Sequence, residues 1–155
     1  MDHTPNTNTL YPDRHTVELY QCIYKNAQVG MGSLGKLLEL HDCKEMSEML
    51  KGQQKGYTAI LRDAANALAK SGVRPIGMRI PEKLNACLMI RLCAISKQGS
   101  LPRIAGMVIT GTTMGSIEGA KKKSKCPLAS EESKALMERL LRFEEASCRA
   151  LRAFL

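Results

Sequence analysis

The chain has no tryptophan and few other aromatics, four tyrosines and two phenylalanines in 155 residues. Tyr20, Tyr24, Phe143 and Phe154 fall at spacings that place them inside helices, which leaves no platform on which successive bases of a single strand would stack. No apolar run approaches the ~20 residues of a membrane span. Beyond residue 12, proline stands only at 75, 81, 102 and 127, and no stretch alternates apolar and polar residues as a half-buried strand does. The chain also lacks any Glu-x-x-His, any Cys-x-x-Cys, a Ser-His-Asp arrangement, a phosphate-binding loop and a dinucleotide fingerprint. What remains describes a build rather than a reaction.

An apolar content of 44% suits a globular protein. The length suits one domain, able to bury roughly 70% of its unfolded surface without disulfides or metal. The opening MDHTPNTNTLYPDR is polar, with no leader character, so a soluble, cytoplasmic protein is expected, with residues 1–12 as a mobile arm and 13–155 as a single helical domain. Cysteines at 22, 43, 87, 93, 126 and 148 are isolated and mostly helical, as expected of small apolar residues in a reducing compartment. Lysine and arginine exceed acids by 23 to 15, a net +8, concentrated in Lys121–Lys125 and in Arg139, Arg142, Arg149 and Arg152. Such a patch serves nucleic acid, an acidic surface, or simply a solvated helix face and helix end.

Apolar residues recur at three and four throughout. A first helix is expected from Asp13–Thr16 to about His41, with Tyr20, Ile23, Tyr24, Ala27, Met31, Leu34 and Leu38 inward. After the short break His41-Asp42-Cys43, a second runs to about Ser71 with Gly72 as its C-cap, its inward line being Met46, Met49, Leu50, Gln53, Tyr57, Ile60, Ala64 and Leu68. So short a connection makes the pair antiparallel. A longer linker, Val73–Pro81, leads to a third helix opened by Pro81, with Leu84, Leu88, Leu92 and Ile95 inward. At Gly99-Ser100-Leu101-Pro102 this helix either kinks or stops and restarts. Leu101, Ile104, Val108, Gly111, Gly115 and Gly119 then share one face, so the three glycines are expected to extend the core and mark a close helix approach. A basic turn precedes a fourth helix capped by Ser130, with Ser133 where a capping box would carry Glu or Gln. Its inward line is Leu136, Leu140, Phe143, Ser147, Ala150, Leu151 and Phe154, and Met137, Leu141, Cys148 and Leu155 widen it on one side. Met107 and Met114 do the same for the third helix, so a dimer seam competes with a fuller core.

A long four-helix bundle is a frequent home for carboxylate-bridged metal pairs, which require Glu-x-x-His motifs pointing inward. His3, His15 and His41 all lie away from the middle of the bundle. Glu39, His41, Asp42 and Glu45 compose either a hairpin metal site or an ordinary polar turn. The polar residues at or beside the inward lines are Gln53, Tyr57, Thr112, Glu118, Glu144 and Ser147. Gln53 and Tyr57 are expected to join a hydrogen-bonded layer with the fourth helix. Gln53, Tyr57, Glu118 and Glu144 are the candidates for an atypical metal site.

Three stretches, IYKNAQVGMGSLGKLLELHDCKEMSEMLKGQQKGY, ITGTTMGSIEGAKK and LLRFEEASCRALRAFL, together resemble uncharacterised bacterial proteins with a ferritin-like four-helix bundle, over about residues 17–155. The resemblance implies an all-α, antiparallel bundle with a crossover between the second and third helices. It implies no established activity, since those relatives lack the di-iron ligands of true ferritins, and no iron chemistry transfers to any residue here.

The leading expectation is therefore a non-enzymatic bundle of unknown function acting through self-association, as a homodimer, or through a protein partner. A degenerate ferritin-like metal or redox protein holding iron or another transition metal is the second reading, although no cofactor is required by these residues. An electrostatic nucleic-acid binder using Lys121–Lys125 and the fourth-helix arginines is the third, disfavoured by the absence of stacking aromatics.

Overall fold

A computed structural model describes residues 13–40, 44–78 and 101–155. Four α-helices occupy them: α1 Arg14–Leu40, α2 Lys44–Lys70, α3 Leu101–Lys125 and α4 Glu131–Leu151, the last continued by a 3-10 turn Arg152–Phe154. At 1.5 Å per residue α1 and α2 are each about 40 Å long. The expected arm 1–12, the hairpin residues 41–43 and the first half of the expected third helix, with the Gly99 interruption, lie outside the described residues. Pro102 sits in the first turn of α3, where its missing N–H costs no helical bond.

Local chemistry sets the ends. Asp13 caps α1, accepting from the His15 amide at 3.2 Å and from the Thr16 hydroxyl at 2.9 Å. Gly72 closes α2 at φ +69, a conformation natural to glycine. The Val73 amide reaches Leu68 O and the Gly72 amide reaches Ala69 O, the two bonds of a Schellman closure. Ser130 caps α4 through the Ser133 amide at 3.2 Å. The reciprocal acceptor for the Ser130 amide comes from Thr16 of α1, at 2.8 Å, so the capping box is completed across helices.

Pairings between helices give the topology. Glu18 meets Lys122 and Asn26 meets Gly115, so α1 and α3 are antiparallel. Gln53 meets Ser147, Tyr57 meets Glu144 and Asp63 meets Arg139, so α2 and α4 are antiparallel too. With α1 and α2 packed as a hairpin and α3 packed on α4, α2 and α3 run in the same direction. The end of α2 and the start of α3 therefore lie at opposite ends of the bundle. Beyond α2 the chain climbs α1: Gln21 accepts from the Ile76 amide and donates to Arg74 O, and Gln28, two turns on, accepts from the Met78 amide.

The core joins Leu19, Ile23, Leu34 and Leu37 of α1 to Leu50, Ile60 and Leu68 of α2, Ile104 of α3, and Met137, Leu140 and Leu151 of α4. Two expectations are corrected. The buried face of α4 is Ser133, Met137, Leu140, Glu144, Ser147, Cys148 and Leu151. It is turned from the expected line, leaving Leu136 and Phe143 half-buried and Ala150 exposed, because α4 packs chiefly on α3 and then on α1, and Met137 turns in beside Gly119 of α3. The glycines also part company. Gly119 is buried beside Met137, while Gly111 is exposed and a Cβ there would meet nothing within 4 Å. Only the lower part of the glycine stripe is a close approach.

Candidate functional site

Halfway along the bundle, Glu144 of α4 is fully buried. Tyr57 of α2 donates its hydroxyl to Glu144 Oε1 at 3.2 Å, and Ser116 of α3 donates to Oε2 at 2.7 Å. Burial pushes the Glu144 carboxyl up from 4.5 to about 7, against the two hydroxyl bonds, which favour the charged form. Burial likewise pushes the Tyr57 phenol up, with the neighbouring carboxylate adding to it. Thr112 of α3 stands near the phenol and works against that shift. One turn away Gln53 donates to Ser147 O at 3.4 Å, and Asn26 of α1 donates to Gly115 O at 3.0 Å. The expected hydrogen-bonded layer of Gln53 and Tyr57 with the fourth helix therefore forms.

Glycines make room for it. A Cβ at Gly30 would lie 2.5 Å from the Tyr57 ring, and one at Gly115 would lie 2.7 Å from Asn26 Oδ1 and 3.2 Å from Glu144 Oε1. At Gly56 a Cβ would overlap the Phe143 ring, which packs edge-on to Tyr57 at a centroid distance of 4.9 Å. The layer is thus held by backbone close approach on three helices. Sequence reasoning missed Asn26, Gly30, Gly56 and Ser116. The same penalty argument applied to Gly111–Gly119 would have found Gly30 and Gly56, each a costly residue inside a helix.

Of the four metal candidates, Gln53, Tyr57 and Glu144 come together, and Glu118 does not. Its side chain is 73% exposed and pairs with Lys121 at 3.6 Å. At the hairpin, Glu39 pairs with Lys36, Glu45 is exposed, and His41 and Asp42 lie outside the described residues. Among the described residues no three His, Cys, Asp or Glu side chains gather as metal ligands. The mid-bundle layer offers one carboxylate, whose two oxygens are occupied by hydroxyl donors. Cys22 is half-buried, and Cys126 and Cys148 are buried, all as free thiols. Burial pushes the Cys22 and Cys126 thiols up, away from the reactive thiolate. His15 holds the α3–α4 turn, its Nδ1 accepting from the Leu128 amide at 3.1 Å.

Three of the four lysines in the run pair with carboxylates of the chain. Lys121 pairs with Glu118, Lys122 with Glu18 and Lys123 with Glu138. Arg139 pairs with Asp63 and Arg149 with Glu145.

On the outside, α3 and α4 leave a groove of about 420 Å³ between them. Ile117, Ala120, Leu141 and Cys148 contribute its apolar lining, and Arg149 and Arg152 stand at one side. Ser116 lines it too, so the groove reaches to within one hydrogen bond of Glu144. Met114, 64% exposed, lies one turn from Ile117, 49% exposed. No described helix is long and apolar enough to cross a membrane.

Comparison with known proteins finds no family model that matches the chain and no similar curated protein or solved structure. The ferritin-like resemblance therefore rests on its three sequence stretches, and the fold described above rests on the chain's own geometry.

Proposed function

We propose that this protein is a non-enzymatic helical bundle that works by association, through the outward face shared by α3 and α4. The observation that carries this reading is the apolar surface left uncovered there. Met114, Ile117 and, at the end of the chain, Leu155 are 64%, 49% and 66% exposed. The Leu155 side chain lies 3.9 Å from the Cβ position of Gly106, which puts it over the same helix. Grouped large apolar side chains rimmed by charge mark interaction surfaces. Gly111, with open space beyond it, leaves the α3 backbone approachable beside them. The buried layer around Glu144 fits a structural part in this scheme, since its polar atoms bond one another across three helices.

A photo-reactive residue in place of Met114 tests the reading. The expected result is a discrete cross-linked adduct, weakened by Ile117→Asp, with none from the same group at exposed Thr58 on α2. A chain that light scattering finds strictly monomeric, and that yields no adduct from position 114 in its native cell extract, would overturn it.

A further inference from the structure

We infer that the groove between α3 and α4 receives an acidic amphipathic helix of another protein. The inference rests on the reading of this face as an interaction surface and adds to it the chemistry of the occupant. The groove is bounded at its turn end by the ion pair of Lys123 with Glu138, which joins the two helices one turn beyond Ala120 and Leu141. It runs from there past Ile117 and Cys148 to Thr113 and Arg152. From Leu141 to Arg152 this is about 16 Å of helix, roughly three turns. A strip of that length accommodates the i, i+3, i+4, i+7 anchors of a helix laid into a groove.

Charge decides the occupant. Two guanidinium groups, those of Arg149 and Arg152, line the groove against a single carboxylate, that of Glu145. That carboxylate is engaged by Arg149, which leaves Arg152 without an acidic counterpart in the lining. The surplus facing an occupant is positive. A second copy of the chain carries +8, and a two-fold contact would set the same cationic rim against itself. The segment 79–100 brings Arg79, Lys83, Arg91 and Lys97 against Glu82 alone, and its approach is clipped to Gln21 and Gln28 on α1. Residues 1–12 carry a single acid, Asp2, and one leucine, Leu10, too few for a charged amphipathic anchor. A helix with leucines on one face and glutamates flanking them satisfies both the apolar floor and the basic walls.

Fluorescence anisotropy on the full chain tests this with two synthetic peptides of about 18 residues. Both carry leucine at i, i+3, i+4 and i+7; one carries glutamate and the other lysine at the flanking positions. The glutamate peptide is expected to bind about tenfold or more tighter than the lysine peptide, and to weaken with added salt. The double variant Arg149→Glu, Arg152→Glu is expected to invert that preference, and Ile117→Asp to abolish binding of both. All three positions are exposed, so circular dichroism should report an unchanged fold. Equal binding of the two peptides overturns the inference, as does tighter binding of a single-stranded DNA of about a dozen nucleotides, the length one small module covers. If neither peptide binds while position 114 cross-links to a second copy, the inference fails and the association reading stands. If neither peptide binds and position 114 yields no adduct, both fail.

Discussion

On the inward line of α2, Met46, Leu50, Gln53, Tyr57, Ile60, Ala64 and Leu68 are buried and Met49 is half-buried, whereas α3 buries only Ile104, Ala105 and Gly119. Yet α3 also carries Met107, Val108, Ile109, Met114 and Ile117. The difference lies in how many neighbours each helix has to satisfy. α2 spends one narrow stripe on α1 and α4, and its other face is charged. α3 has apolar residues around much of its circumference, and those turned away from the bundle, Met114 and Ile117 above all, remain in water. A helix that is apolar beyond its buried stripe points to an unfilled contact.

The contrast can be broken most severely by a cavity. Leu50→Ala, at a side chain 1% exposed, should cost about 2–5 kcal/mol of unfolding free energy. Ile117→Ala on the outer face of α3 should change it by no more than about 0.5 kcal/mol. Urea denaturation of both variants measures the gap, and near-equal losses would mean that α3 is buried in the protein as it exists in solution.

The point where the two hairpins meet should be sensitive to pH. Glu144 faces Tyr57 from α2 and Ser116 from α3, neither of them a cation. Its folded carboxyl is raised from 4.5 to about 7, so the folded state holds a proton that the unfolded chain has released. The stabilisation is complete below about pH 4.5 and is lost as pH rises through about 7, amounting to about 3 kcal/mol over that window. Glu144→Gln should flatten this part of the stability curve. Denaturant midpoints taken across the window in both proteins check the sign and the size, and a wild-type curve flat over it would contradict the assignment.

Smaller effects separate the glycines. Gly30→Ala, in α1, drives a methyl against the ring of buried Tyr57 and should destabilise by about 1–3 kcal/mol, less the helix propensity it gains. Gly111→Ala, in α3, enters open space and should stabilise by about 0.5–1 kcal/mol. Thermal melts of the pair should move in opposite directions.

Much of the scaffold is legible in the residues. The Asp13 start of α1, the Gly72 closure of α2 and the Ser130 cap follow from local hydrogen bonding over a few residues. The inward line of α2 is unambiguous because lysine, aspartate and arginine occupy its other side. On α4 the line was harder to read, since Leu136, Met137, Leu140, Leu141 and Phe143 are all apolar and several rotations of the helix bury comparable area. The Glu144 layer was half legible. Gln53 and Tyr57 stand out as polar groups on an apolar stripe, but Ser116 and Asn26 look like ordinary surface residues until α3 and α1 bring them to their partners.

By itself the sequence determined the all-α class, the hairpin of α1 with α2, the helix caps and the excess of positive charge, because periodicity, capping and composition act over short distances along the chain. Only the tertiary structure decided which side of α4 faces the core and which of the Gly111, Gly115 and Gly119 positions are close approaches. It alone seated Glu144 between Tyr57 and Ser116, and left Met114 and Ile117 outside. Each of these depends on where another helix stands, and spacing along a single helix carries no record of its neighbours.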